Sequence, residues 1–198
     1  MKRAMIAGLA AGAAMMVGGA LAALSDTTAP SAESGTMEPM IGGQAMQADR
    51  SLLGNVSASP LHTVLAAALR TSGVAAALDG DGVFTLFAPV DSAMAHDAPA
   101  RGKAQLARLM SYLMVPGRYD SQALLKAIEQ GGGEARLTTV EGGTLVARLN
   151  GPTNIALTDA RGDTADIAIY DVYARNGVMQ VVDRMLAPEA APRQMATN

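Results

Sequence analysis

The chain reads as a single α+β domain, and three observations predict it. Apolar residues recur at helical spacing through the first half, most clearly Leu106, Leu109, Met110, Leu113 and Met114. From Leu137 onward the pattern changes to short β segments separated by Gly, Asp or Asn turns. No internal repeat with a period of about 20 to 50 residues appears, which excludes solenoids and propellers. Helices gathered ahead of strands argue for α+β over a βαβ wrap.

The elements follow in order. Ser59-Pro60 offers an N-cap and a proline at the first helical position, ahead of Val64, Leu65, Ala68 and Leu69 on one face, with Gly73 as the stop. Asp79-Gly80-Asp81-Gly82 reads as a turn into a strand over Val83–Ala88 that Pro89 ends. The Leu106–Met114 stripe requires a helix facing a core, stopped by Pro116-Gly117. Asp120 or Ser121 caps a further helix carrying Leu124, Leu125 and Ile128, which ends at Gly131-Gly132-Gly133. Leu137–Val140 and Thr144–Leu149 flank Glu141-Gly142-Gly143, a hairpin signal. Asn154–Thr158, Asp166–Asp171 and Val178–Leu186 complete the strands.

The ends carry separate signals. Residues 1–22 read as a signal peptide: Lys2 and Arg3 precede an uncharged stretch, and Ala20-Leu21-Ala22 supplies small residues for cleavage. An uncleaved membrane anchor is the competing reading, since roughly 20 apolar residues can span a bilayer. Residues 23–41, rich in Ser, Thr, Ala and Pro, read as a disordered linker. The domain is expected over 42–188, and 189–198 as a disordered tail.

Composition narrows the function. Beyond the two positive charges of the leader, 13 Lys+Arg face 18 Asp+Glu, a net charge of −5. No basic patch is available for nucleic acid or for anionic lipid, so the membrane enters only through an uncleaved leader. With no cysteine, disulfides, thiolate metal sites and cysteine nucleophiles are excluded. The core alone must stabilise the fold, and residues 52–188 suffice to bury well over half of the unfolded surface.

Three stretches carry a resemblance: F-T-L-F-A-P-V-D-S-A-M at 84–94, S-Y-L-M-V-P-G-R-Y at 111–119 and N-G-V-M-Q-V-V-D-R-M-L-A-P at 176–188. With I-G-G-Q-A-M at 41–46 and His62-Thr63, they resemble the fasciclin-like domain family, and bacterial single-domain secreted members in particular. The resemblance implies a β-sandwich-like sheet core packed against a helical layer. It also implies a non-enzymatic module for adhesion or protein interaction at the cell surface or in the matrix, secreted or periplasmic. The departures are Met94 in place of an aromatic residue, Leu113 after Tyr112 where the family often has a Tyr-His pair, and Gln180 in place of a histidine. Tyr112 carries over as a match and the histidine role does not. The periodicity gives Leu113 a packing role.

Candidate chemistry is thin. His62 and His96 lie on separate segments without a metal-ligand spacing, and His62 reads as a hydrogen-bonded surface or boundary residue. Asp79 and Asp81 open like a calcium loop, but the twelfth position is Val90 instead of glutamate. Asp159, Asp163 and Asp166 read as solvated turn carboxylates. There is no G-x-S-x-G elbow, Asp91 or Ser92 fits a helix cap, and without Trp the usual sugar-stacking platform is missing. No cofactor and no metal are expected. The contact surface is assigned to Tyr112, Arg118 and Tyr119, because Tyr and Arg supply interface anchors. The partner class is an unknown protein or matrix polymer, with a monomer as the working state. The thirteen methionines suggest plastic packing. The alternative is an apolar ligand cleft at Met110, Met114 and Met179 for a lipid or pigment-like molecule.

Overall fold

The computed structural model describes residues 39–95 and 102–189. The signal peptide, most of the linker, His96 and the tail from residue 190 lie outside the described residues. The described residues begin ahead of residue 42, where the domain is expected to start. β1 (Met40–Ile41) pairs antiparallel with β2 (Gln44–Ala45), and Ile41 is fully buried. Gly42 and Gly43 turn this hairpin at φ 59° and 83°, where a side chain is disfavoured.

Three short helices follow: α1 (Leu52–Ala58), α2 (Thr63–Ser72) and α3 (Ala75–Asp79). The cap expected at Ser59-Pro60 falls elsewhere. Ser59 closes α1, and α2 starts three residues after the proline, with His62 at the N-cap position. Ser51 caps α1 by accepting from the Gly54 N–H at 3.1 Å. Gly73 ends α2 in the left-handed conformation, as its position predicts.

β3 (Phe84–Pro89), α4 (Asp91–Met94), α5 (Lys103–Tyr112) and β4 (Met114–Pro116) come next. The apolar stripe of α5 runs past the end of the helix. Leu113 caps it, and the Phe87 N–H takes the Leu113 carbonyl at 2.9 Å, drawing the chain into β4 beside β3. α6 (Ser121–Gln130) begins at Asp120, whose side chain accepts from Ala123 N at 2.9 Å. It ends at the triple glycine.

The remaining strands are β5 (Glu134–Thr138), β6 (Thr144–Asn150), β7 (Asn154–Thr158), β8 (Thr164–Ala174) and β9 (Gly177–Val182). The seven strands from β3 onward are ordered β4-β3-β9-β8-β7-β6-β5. All neighbours are antiparallel except β3 and β9. β8 is shared by two halves: Thr164–Asp166 pair with β7, and from Ile167 onward it pairs with β9. Two register shifts along it bend the sheet. The Val140 N–H, just beyond β5, donates to the Met114 carbonyl at 2.8 Å, so the two ends of the strand order meet. The result is the sandwich-like α+β architecture the sequence predicts.

One continuous core joins the helices to both halves of the sheet. Phe87, Leu86, Met179 and Val181 are all buried in it, each large side chain contributing about 1.5–3 kcal/mol. Asn176 ties the helices to β9. Its amide oxygen accepts from Leu52 N at 2.8 Å, and its nitrogen donates to the carbonyls of Leu78 and Gly80 at 2.8 and 3.0 Å. Among the described residues no helix is long and apolar enough to cross a membrane.

Candidate functional site

The corner after β4 is built on a short polar frame. Thr85 Oγ1 donates to the Gly117 carbonyl and accepts from Tyr119 N, both at 2.8 Å, which fixes the turn that Gly117 makes at φ 98°. Gln180 is fully buried beneath it. Its Nε2 donates to the Tyr119 carbonyl at 3.1 Å and to Asp171 Oδ1 at 2.9 Å, while its Oε1 accepts from Asp171 N at 3.0 Å. Asp171 sits at φ 57° on the bent strand β8, a conformation that Asp tolerates better than most residues. Its carboxylate also accepts from the backbone N–H of Ser121 at 2.7 Å and from the Ser121 hydroxyl. Four segments are thereby locked together, and Gln180 holds the network through both ends of its amide.

Arg118 stands exposed on this frame. Its guanidinium carbon lies 6.0 Å from the ring centroid of Tyr173 on β8, at the outer limit of a cation–π contact. One guanidinium nitrogen also makes a long bond of 3.4 Å to the Ala174 carbonyl. Tyr173 is 40% exposed and Tyr119 is half-buried against the core. Burial, followed by the negative charges of Asp171 and Asp120, raises the Tyr173 hydroxyl above its ordinary 10.0, so it remains a donor at neutral pH. Arg118 and Tyr173 are exposed together, with the half-buried Tyr119 next to Arg118 in the chain.

Tyr112 does not belong to this group, which corrects its assignment as a contact residue. The ring is fully buried, and its hydroxyl donates to the Thr144 carbonyl at 2.8 Å and accepts from Ala160 N at 2.9 Å. Burial is the main reason its hydroxyl is raised above 10.0. Gly143 packs against the ring, where an added Cβ would stand 2.7 Å from it. Beside it opens a cavity of about 450 Å³, lined by Arg108, Glu141, Thr144 and Pro188 among others. The Arg108 Nε donates to Glu141 at 2.5 Å, and Glu141 also accepts from Gly143 N at 3.1 Å. This cavity is polar.

The apolar cleft is also corrected. Met110, Met114 and Met179 are fully buried in the continuous core, where they fill space between α5, β4 and β9 and present no wall to an entering ligand.

The remaining candidates are structural. Asp159 is buried, contrary to the solvated reading. Its carboxylate accepts from the backbone N–H groups of Arg161, Asp163 and Ala187 at 2.8–2.9 Å, pinning the residues after β9 to the β7–β8 turn. Asp79 accepts from the Ser51 hydroxyl at 2.7 Å. Asp91 caps α2 from α4, accepting from Thr63 N and Val64 N at 3.0 and 2.8 Å. Among the described residues no group of three His, Asp or Glu could hold a metal ion. His62 is buried as well, with Nδ1 2.7 Å from the Ser59 hydroxyl. This Ser–His pair has the composition of a nucleophile and its base. Ser59 is itself buried and already accepts from Leu61 N, so a substrate cannot approach it.

Sequence reasoning missed Tyr173. The signal was faint: two register shifts interrupt the in–out alternation of β8, so periodicity does not say which tyrosine of that strand faces out.

The α+β shell turns Asn176, Gln180 and Asp159 onto its own backbone and displays a small Arg–Tyr corner, and comparison with known proteins identifies its family. The model of the fasciclin domain matches residues 60–188, and the chain belongs to the fasciclin domain family. A relative in Synechocystis sp., "Uncharacterized protein sll1735", is 28% identical over 131 residues, covering 63% of this chain and 87% of that protein. Among solved structures, a FAS1 domain pair from the insect cell adhesion molecule Fasciclin I superposes with a TM-score of 0.59 at 17% identity. The match covers 71% of this chain and 51% of that one, so this chain spans about half the length of the pair. At that identity the likeness concerns the fold alone.

Proposed function

We propose that the chain is a non-enzymatic, exported interaction module that adheres to another protein or to a matrix polymer through Arg118, Tyr119 and Tyr173. The observation that carries this reading is the exposed Arg118–Tyr173 pair on a frame locked by Thr85, Gln180 and Asp171. Tyr and Arg give large contact area with few rotamers to freeze, and a rigid frame lowers the ordering cost of binding. Arg118 can pair with a carboxylate of the partner. Family membership adds support, because Fasciclin I is itself a cell adhesion molecule. Export is read from the leader-like residues 1–22, and on this reading the module acts in the periplasm or the medium.

Two experiments test this. Beads coated with the purified domain should adhere to the producing cells, and Arg118→Ala or Tyr173→Ala should reduce that adhesion about tenfold or more. Adhesion that survives both changes would move the contact surface elsewhere. For export, the intact chain expressed with its own leader should be recovered outside the cytoplasm with a mass starting near Ala23. Retention in the cytoplasm at full length would contradict the export part alone.

A further inference from the structure

His62 holds the corner between α1 and α2 against β3 and α4. Its side chain has no solvent exposure. Nδ1 meets the Ser59 hydroxyl, Nε2 has no hydrogen-bond partner, and the Ala88 backbone of β3 lies close to the ring. The same corner is fastened by the Asp91 N–H, which donates to the Leu61 carbonyl at 2.8 Å, and by the Asp91 carboxylate, which caps α2. The β1–β2 hairpin lies over the corner, with Gly42 so close to Pro60 that an added Cβ would stand 2.6 Å from its ring.

We propose that His62 is an acid-sensitive latch, whose protonation releases the α1–α2 corner from β3 and α4. A neutral imidazole fits this site in either tautomer, because Ser59 can donate to Nδ1 or accept from it. An imidazolium must present N–H groups at both nitrogens; Nε2 makes no hydrogen bond in the folded chain, and the nearby Ala88 carbonyl, which favours the charged ring, does not offset the burial. It would also stand at the N-cap of α2, where the helix dipole opposes positive charge. The charged groups on the surrounding elements, among the described residues, are Asp91 on α4 and Arg70 further along α2. α1, β3 and the β1–β2 hairpin carry none. Asp91 favours the charged ring, but its carboxylate is already held by Thr63 N, the Thr63 hydroxyl and Val64 N. Burial dominates and holds the ring's pKa below the ordinary 6.5.

The linkage has a definite sign. With the folded pKa below the unfolded one, the unfolded or open chain binds the extra proton. The contribution of His62 to stability is therefore complete above about pH 6.5 and is lost as the pH falls below it towards the depressed folded value. Each unit of depression biases the protonated chain tenfold towards the open corner.

The test uses the full chain in two measurements. The His62 ring is titrated by NMR, and amide exchange at Val64, Ala66 and Asp91 is followed from pH 7.5 to 5, corrected for the intrinsic pH dependence of exchange. The ring should titrate below 6.5, and the corrected exchange at these three amides should rise tenfold or more on acidification. In His62→Gln it should stay flat. A ring that titrates at or above 6.5, or the same acceleration in His62→Gln, would overturn the latch. If His62→Gln fails to fold, the wild-type ring titration and the location of the accelerated amides decide alone: unchanged protection at the corner would overturn it.

Discussion

Tyr112 and Tyr119 stand seven residues apart on one continuous segment, S-Y-L-M-V-P-G-R-Y, yet they serve opposite ends of the molecule's economy. The Tyr112 end is interior: its ring is fully covered and both bonding directions of its hydroxyl are used by backbone groups. At the other end Arg118 is exposed, Tyr119 is half-buried, and Tyr173 adds an open ring from β8. Two backbone events separate them. The chain leaves α5 at Leu113 to join β3, and then turns at Gly117 on the Thr85 hydroxyl. A residue type that marks interfaces therefore says nothing by itself about exposure. The turn decides which tyrosine is interior and which reaches the surface.

The comparison breaks first on stability. Tyr112→Ala should cost about 3–5 kcal/mol through lost burial and a cavity, read as a lower midpoint in urea unfolding. Asn176→Ala should cost about 3 kcal/mol, since it leaves Leu52 N and the carbonyls of Leu78 and Gly80 without their partner. Tyr112→Phe is milder, at about 1–3 kcal/mol, because the ring stays and only the bonds to Thr144 and Ala160 are lost. At the exposed end, Arg118→Ala and Tyr173→Ala should each move stability by no more than about 0.5 kcal/mol. A large stability loss there would mean that the patch is part of the core's support and not a free surface.

Much of the fold was legible because its signals are local. The Asp120 cap, the triple-glycine stop and the Glu141-Gly142-Gly143 turn each act within a few residues. α1 escaped because Gly54 and Asn55 break its apolar pattern, and distant Asn176 helps to anchor its start. β4 escaped because Leu113 and Met114 continue the helical stripe in sequence, while pairing with β3 ends the helix at Leu113 and draws Met114 into a strand. His62 looks like a surface or boundary residue between Pro60 and Thr63, and its full burial comes from tertiary packing that the local sequence does not announce. The site was half legible: Arg118 and Tyr119 came from the segment itself, whereas the burial of Tyr112 and the presence of Tyr173 depend on pairings across the sheet.

The most direct test of the central claim is one double variant, Arg118→Ala with Tyr173→Ala, measured side by side for urea midpoint and for bead adhesion to the producing cells. The account predicts a midpoint close to that of the wild type and adhesion reduced about tenfold or more. Full adhesion by a fully folded double variant would contradict it.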